Sequence, residues 1–295
     1  MKPTKLLSFS LLFLALAMDP VASGQAFLCG TNYTQNFNTL GNGLPPGWSV
    51  RTNATASSLG TAAEFNANCV SWANKTGQFG NGPSLTNNAG VLATGSASDT
   101  QATFTNRLLL VRQAATFYGS DPGAAFVFQI ANTAGLSNFT FGVDLDMLSV
   151  QDHSTTWTLD YAVGNAPAAF TVLGTFPDPG VLGTTRQTCS LGADANNQTN
   201  NVWIRIVALT ASAGTSGARD TFGIDDFILS CAGTPAAIPL CLQPCGTNLV
   251  LTWTDSTYAL QSAPTAAGTF TNVPGATSPF TNALAEPAKF FRLCR

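Results

Sequence analysis

The sequence predicts an all-β protein, a two-sheet sandwich followed by a smaller β-module, and three observations carry that expectation. Only 9% of the residues are charged against 45% hydrophobic. Exposed helix faces are normally furnished with Lys, Glu and Arg, so this scarcity argues for sheet. Apolar and polar residues alternate with period two in several separate runs, the pattern of strands buried on one side. The 27 glycines and 16 prolines divide these runs into short segments separated by turns. A net charge of −3 without any Lys/Arg cluster removes the electrostatic basis for binding nucleic acid.

In chain order, Lys2 and Lys5 precede an apolar run from Leu6 to Met18 and a small-residue segment from Val21 to Ala26. This charged, apolar, small-residue order predicts a secretory signal peptide over 1–24, with an apolar run too short to span a bilayer comfortably. No later stretch approaches membrane-spanning length, so the mature chain is expected to be secreted, extracellular or at the cell surface, with no membrane span. Cys29 lacks the preceding small residue that lipidation needs.

The segment NFNTLGNGLPPGWSV, residues 36–50, holds a strand start, a Pro-Pro-Gly break and Trp48 opening a new strand. Residues 51–99 are rich in Asn, Ser, Thr, Ala and Gly, which predicts long loops and short strands, the usual seat of recognition. Regular patterning returns at Arg107–Arg112 and in a strand where Phe126, Phe128 and Ile130 share a face. The clearest strand is 138–150, with Phe139, Phe141, Val143, Leu145 and Met147 on one side and Asp144 and Asp146 on the other. Trp157, Leu159, Tyr161 and Val163 repeat the pattern after a short polar connection, so the two runs are expected to form a hairpin. Phe170–Phe176 adds a short strand before Pro177-Asp178-Pro179-Gly180 turns the chain.

The stretch 201–231 closes the first domain with two runs. In one, Val202, Ile204, Ile206 and Ala208 oppose Trp203, Arg205 and Val207. In the other, Phe222 and Ile224 hold one phase while Phe227 and Leu229 hold the opposite one. A one-residue slip at Asp225-Asp226 reconciles them, and a β-bulge is the device that makes such a slip. About nine or ten short, one-sided strands by Cys231 are too many for one open sheet and predict two packed sheets. The domain is expected over 27–231, a proline-bearing linker over 232–239, and a second unit over 240–295.

The cysteines are Cys29, Cys69, Cys189, Cys231, Cys241, Cys245 and Cys294. In an oxidising compartment they imply disulfides whose connectivity spacing cannot fix, with one thiol left over. Cys241 and Cys245, with one histidine in the chain, make a poor zinc site.

The opening segment 36–50 and the closing DTFGIDDFILS resemble the jelly-roll domains of bacterial secreted and cell-surface proteins of the cleaved-adhesin and MAM-like type. Residues 240–295, with NLVLTW, TYALQSA and KFFRLCR, resemble the small C-terminal immunoglobulin-like β-modules of secreted Verrucomicrobia-type proteins. The first resemblance implies a jelly-roll β-sandwich serving adhesion, glycan or protein binding, or an accessory role beside secreted hydrolases. It also implies calcium at Asp225 or Asp226, although Asn36 and Asn38 stand where an acid is often found. Cys294 bonded to Cys241 or Cys245 would staple the small module.

The ligand-binding candidates are Trp203, Arg205, Trp72 and Tyr118, with Trp48 beside them, because flat aromatic rings with polar edges suit sugars. Trp203 is out of phase with its strand's core face and shares a side with Arg205, although burial under a loop would also account for it. Catalytic signals are thin. His153, flanked by Asp152 and Ser154, falls in a turn, and adjacency in sequence does not make a triad. Glu64, Asp144, Asp146 and Asp160 are the carboxylates available for glycoside hydrolysis. The reading is a secreted, non-catalytic binding or adhesion protein recognising a glycan or a cell-surface protein. The alternative is a glycan-degrading hydrolase or an accessory module of one.

Overall fold

The computed structural model describes residues 24–28, 30–85, 98–115, 118–214, 217–233, 240–245, 247–253, 255–283 and 288–294. The expected leader over 1–24 lies outside them but for Gly24, as do residues 234–239 of the expected linker. No helix of the described residues is long and apolar enough to cross a membrane.

The fold is all-β. In chain order the strands are β1 (Asn32–Gln35), β2 (Trp48–Thr52), β3 (Thr61–Ala62), β4 (Phe65–Cys69), β5 (Phe79–Pro83), β6 (Arg107–Arg112), β7 (Ala125–Ile130), β8 (Leu136–Ser149), β9 (His153–Ser154), β10 (Trp157–Val163), β11 (Thr171–Phe176), β12 (Gly183–Ser190), β13 (Val202–Val207), β14 (Ala213–Gly214) and β15 (Thr221–Gly233). They build a seven-stranded sheet of order β12-β8-β15-β6-β5-β4, with β1 paired to β15, a six-stranded sheet of order β11-β10-β13-β7-β2-β3, and a separate two-stranded ladder of β9 and β14. The two larger sheets enclose one core. Phe139, Phe141, Val143, Leu145 and Met147 enter it from β8, while Ile204, Ile206, Phe126 and Phe128 enter from the opposite sheet. The alternation read from the sequence is therefore the two-sided packing of a jelly-roll sandwich.

Strands β8 and β10 do not form the expected hairpin. β8 lies between β12 and β15, and β10 lies between β11 and β13 in the other sheet. Each strand buries its large side chains in the same core, so period-two patterning alone cannot distinguish partners within a sheet from partners across the sandwich.

Both outer faces are also partly covered, which explains apolar residues on the wrong phase. Over the seven-stranded sheet, Val70, Trp72 and Leu85 pack on Leu108, Leu110 and Leu148. Over the six-stranded sheet, Ala54 joins Ala125, Val127, Trp203 and Val207.

The slip in β15 is present as expected. Asp225 pairs with Asp144 and Ile228 with Gly142 on β8, so three steps on one strand match two on the other. Asp226 sits in the left-handed region at φ 43°, which aspartate tolerates better than most residues. β15 continues to Gly233, with Ala232 opposite Ser137 and Gly233 opposite Leu136, so the strand extends past the Cys231 boundary expected from composition.

Toward the C-terminus, β16 (Cys241–Cys245), β17 (Asn248–Thr252), β18 (Ala259–Ala263), β19 (Thr271–Asn272), β20 (Phe280–Ala283) and β21 (Phe290–Cys294) follow. They form two three-stranded sheets, β16-β17-β20 and β19-β18-β21, around Leu251, Trp253, Tyr258 and Leu260. Among the described residues Cys69, Cys189, Cys231, Cys241 and Cys245 are free thiols. The staple expected between Cys294 and Cys241 or Cys245 is not formed, since Cys241 and Cys245, the two ends of β16, are both free thiols.

Candidate functional site

A cleft of about 550 Å³ opens on the outer face of the seven-stranded sheet, where the cover over that face stops, and Asp144, Arg186 and Asp226 are its charged lining. Arg186 on β12 stands directly across from Asp144 on β8. Its Nη1 donates to Asp144 Oδ1 at 2.9 Å and to the Asp226 carbonyl at 2.6 Å. The bulge thus supplies an acceptor that a regular strand would not present at this point. Gly142 lies two residues along β8 on the same face, and a Cβ there would stand 2.6 Å from Arg186 Nη2. Glycine therefore lets the guanidinium lie flat on the sheet. Thr34, Gln35 and Asn36 form the wall contributed by β1 and the turn after it, and Ile228 forms part of the floor. Gln35 Oε1 accepts from the Phe37 amide and Asn36 Oδ1 from the Asn38 amide, which fixes both side chains. Ile228 is 40% exposed and offers a small apolar surface among these polar groups.

Behind the cleft the acids are buried. Asp146 and Asp225 are wholly inaccessible. Burial raises Asp146 to about 6, against hydrogen bonds from the Leu85 amide at 3.3 Å and Ser84 at 3.5 Å. Burial raises Asp225 to about 8, against hydrogen bonds from Ser84 and the Asp226 amide. Burial also raises Asp226, with the Asp144 charge adding to it. Calcium takes six to eight oxygen ligands. Among the described residues no three acid, His or Cys side chains are gathered for a metal, and Asp225 turns inward while Asp226 lines the cleft. The calcium expected at this pair does not fit the arrangement.

The aromatic candidates are placed apart and mostly inside. Trp203 is 4% exposed and donates from Nε1 to the Gly164 carbonyl at 2.7 Å. Arg205 is fully buried, bonded to both oxygens of Asp160 at 2.8 and 2.7 Å and to the Thr55 and Ser58 carbonyls at 3.1 and 2.8 Å. The Phe170 ring lies 3.3 Å from its guanidinium carbon. Residues 54–59 lie over this face, so Trp203 and Arg205 are structural, a correction to the binding role expected from their phase. Trp72 is buried under the cover of the opposite sheet, with Nε1 on the Pro83 carbonyl at 2.9 Å. Trp48 is core, with Nε1 on the Tyr33 hydroxyl at 3.0 Å. Tyr118 alone keeps partial exposure, in the loop between β6 and β7. These residues occupy opposite faces and one loop and make no common site.

The carboxylates do not converge for hydrolysis either. Asp160 is held by Arg205 on the six-stranded sheet, Asp144 and Asp146 are on the other, and Glu64 is exposed beyond β3. His153 has both ring nitrogens buried with no hydrogen-bond partner, so no acid orients it. Arg186, the centre of the cleft, carries no sequence signal beyond being a charge in a Thr-rich run. β12 is an exposed edge strand without a large apolar side chain, and its period-two pattern is correspondingly faint.

No family model matches the chain. No curated protein matches it. Among solved structures, the K1 cleaved adhesin domain of Lys-gingipain from Porphyromonas gingivalis W83 is 12% identical, over 69% of this chain and 100% of that one, with a TM-score of 0.39. The CBM22-1 xylan-binding domain of Paenibacillus barcinonensis Xyn10C is 9% identical over 70% and 95%, with a TM-score of 0.34. The C-terminal family 22 carbohydrate-binding module of Clostridium thermocellum Xyn10B is 14% identical over 74% and 100%, with a TM-score of 0.32.

Proposed function

We propose that this chain is a secreted or cell-surface binding module, without catalysis of its own, that takes a glycan in the cleft of the seven-stranded sheet. The observation that supports this reading is the cleft lining. Sugar hydroxyls need donors and acceptors side by side, and Arg186, Asp144, Asp226, Thr34, Gln35 and Asn36 supply both around about 550 Å³. The groups are held in place before any ligand arrives, Arg186 by its two oxygens and the amides by the turn after β1. Preorganisation of this kind lowers the entropic penalty of binding. The apolar patch at Ile228 suits the less polar face of a pyranose. Phe227, the aromatic residue among the described lining, is fully buried and offers no stacking platform, so affinity rests on hydrogen bonds, and dissociation constants near the millimolar end are expected.

A glycan array on the full chain, run with calcium and with chelator, followed by calorimetry on the hits, tests the reading. Arg186→Ala and Asp144→Ala are expected to weaken a genuine ligand about ten-fold or more, the scale of one charge-assisted hydrogen bond. Binding that survives both substitutions unchanged would place the ligand elsewhere.

A further inference from the structure

Three arginines of the sandwich are at least nine-tenths buried, and two of them are answered by acceptors. Arg205 holds Asp160 and two carbonyls, as described above. Arg107 donates to Asn81 Oδ1 at 2.8 Å and to the carbonyls of Phe104 at 3.0 Å and Gln101 at 3.3 Å. The third, Arg112, is 4% exposed, yet among the described residues its side chain makes no hydrogen bond or ion pair, and its Nε is buried without a partner. A buried guanidinium left in this state is costly unless something meets it.

Arg112 ends β6 opposite Thr221 of β15, and its side chain lines a second cleft of about 190 Å³ together with Lys75, Gln113, Gly217 and Arg219. Lys75 is exposed at the rim. Three acids are near. Asp152 lies beside Gly217. Asp121 is committed to Arg219, with which it forms an ion pair, and to the Ser212 amide. Asp220 acts on Arg112 through space, but it lies beyond ion-pair distance and one of its oxygens is taken by the Gln151 amide. The carboxylates around this cleft thus match its three cations in number, yet Arg112 Nε and Asp220 Oδ2 are both left buried without a partner, so the Arg112 guanidinium stays unanswered inside the cleft.

We propose that this cleft is an anion site for a carboxylate or sulfate group carried by a ligand, bound by the Arg112 fork from inside and the Lys75 ammonium at the rim. A planar guanidinium matches an oxyanion with two parallel N–H donors, and a lysine adds a movable point charge. The site is separate from the cleft around Arg186 and does not depend on the glycan reading, although an acidic sugar would use this chemistry.

The test is calorimetric titration of the full chain with sodium D-glucuronate and with sodium sulfate, at constant ionic strength. Glucose is the neutral counterpart and chloride the salt control. Saturable millimolar binding of at least one oxyanion is expected, with none for glucose in an Arg186→Ala background, which keeps the larger cleft out of the measurement. Arg112→Gln should remove the binding at least ten-fold, and Lys75→Ala should weaken it about three-fold. Should Arg112→Gln fail to fold, the exposed Lys75 carries the test alone. Binding of glucuronate only, or of sulfate only, identifies which group the site takes. Absence of saturable binding for both anions, or binding unaltered by Lys75→Ala, overturns the proposal. Loss of glycan binding in Arg186→Ala with anion binding intact separates failure of one reading from failure of the other.

Discussion

At the residue scale, the buried acids behind the cleft are the least ordinary groups in the molecule. Asp225 is raised to about 8 and Asp146 to about 6 from 3.8, burial being the largest cause for each. A carboxyl raised in the fold holds its proton longer there than in the unfolded chain. Its contribution to stability is therefore complete below about pH 4 and is lost as pH rises through 6 and then 8. Each unit of raised pKa corresponds to about 1.4 kcal/mol, and in a protein of this size each kcal/mol moves the melting temperature by about 2–4 °C. Scanning calorimetry from pH 4 to 9 should show the melting temperature falling on the alkaline side. Asp225→Asn keeps the shape and removes the titration, so it should match the wild type at pH 4 and melt several degrees higher at pH 9. A variant that tracks the wild type at every pH would show that Asp225 is ionised in the fold. Because Asp225 and Asp226 diverge, saturating calcium and chelator should give equal melting temperatures, and a calcium-dependent rise would reinstate the expected metal site.

At the scale of elements, the cross-strand pair Asp160–Arg205 shows what holds a covered sheet face. The two residues are register partners on β10 and β13, with side chains 1% and 0% exposed. Removing one partner strands a charge, so Asp160→Asn and Arg205→Met should each lose about 3–5 kcal/mol in urea unfolding, while Asp160→Leu with Arg205→Met should lose less than either alone. Additive losses would contradict a coupled pair. Gly142→Ala on β8 makes the opposite kind of test, because the added methyl meets only the far end of Arg186. Melting should change little while glycan affinity falls several-fold.

These elements also show how far the sequence could be read. The phase break in β15 was legible, because Phe222 and Phe227 both needed the core and only a bulge could place both there. The outer-face position of Trp203 and Arg205 was legible too. The loop of residues 54–59 that closes over them was not, since long-range cover leaves no periodic mark. The cleft was missed for a related reason: its central residue comes from an exposed edge strand, and its walls come from strands more than a hundred residues apart in sequence, β1 and β8, brought together by β15.

At the scale of the whole molecule, the described residues contain no strand pairing between β1–β15 and β16–β21, and each part has its own apolar cluster. Among the described residues the C-terminal cluster buries Leu251, Trp253, Tyr258 and Leu260, a small core for an independent fold. Residues 234–239 read TPAAIP, and composition of this kind favours a semi-rigid, accessible connector. We expect limited proteolysis to cut within 234–239 and not at 232–233, because Ala232 and Gly233 are register partners in β15. The N-terminal fragment should then melt as cooperatively as it does in the full chain and keep both the glycan and the oxyanion affinities, since every residue of the two clefts lies before Gly233. The C-terminal fragment should melt at a lower temperature than the N-terminal one, given its thin core. Protection of 234–239 in a single resistant species, or loss of ligand affinity on cleavage, would mean instead that the C-terminal sheets are part of the sandwich's working unit.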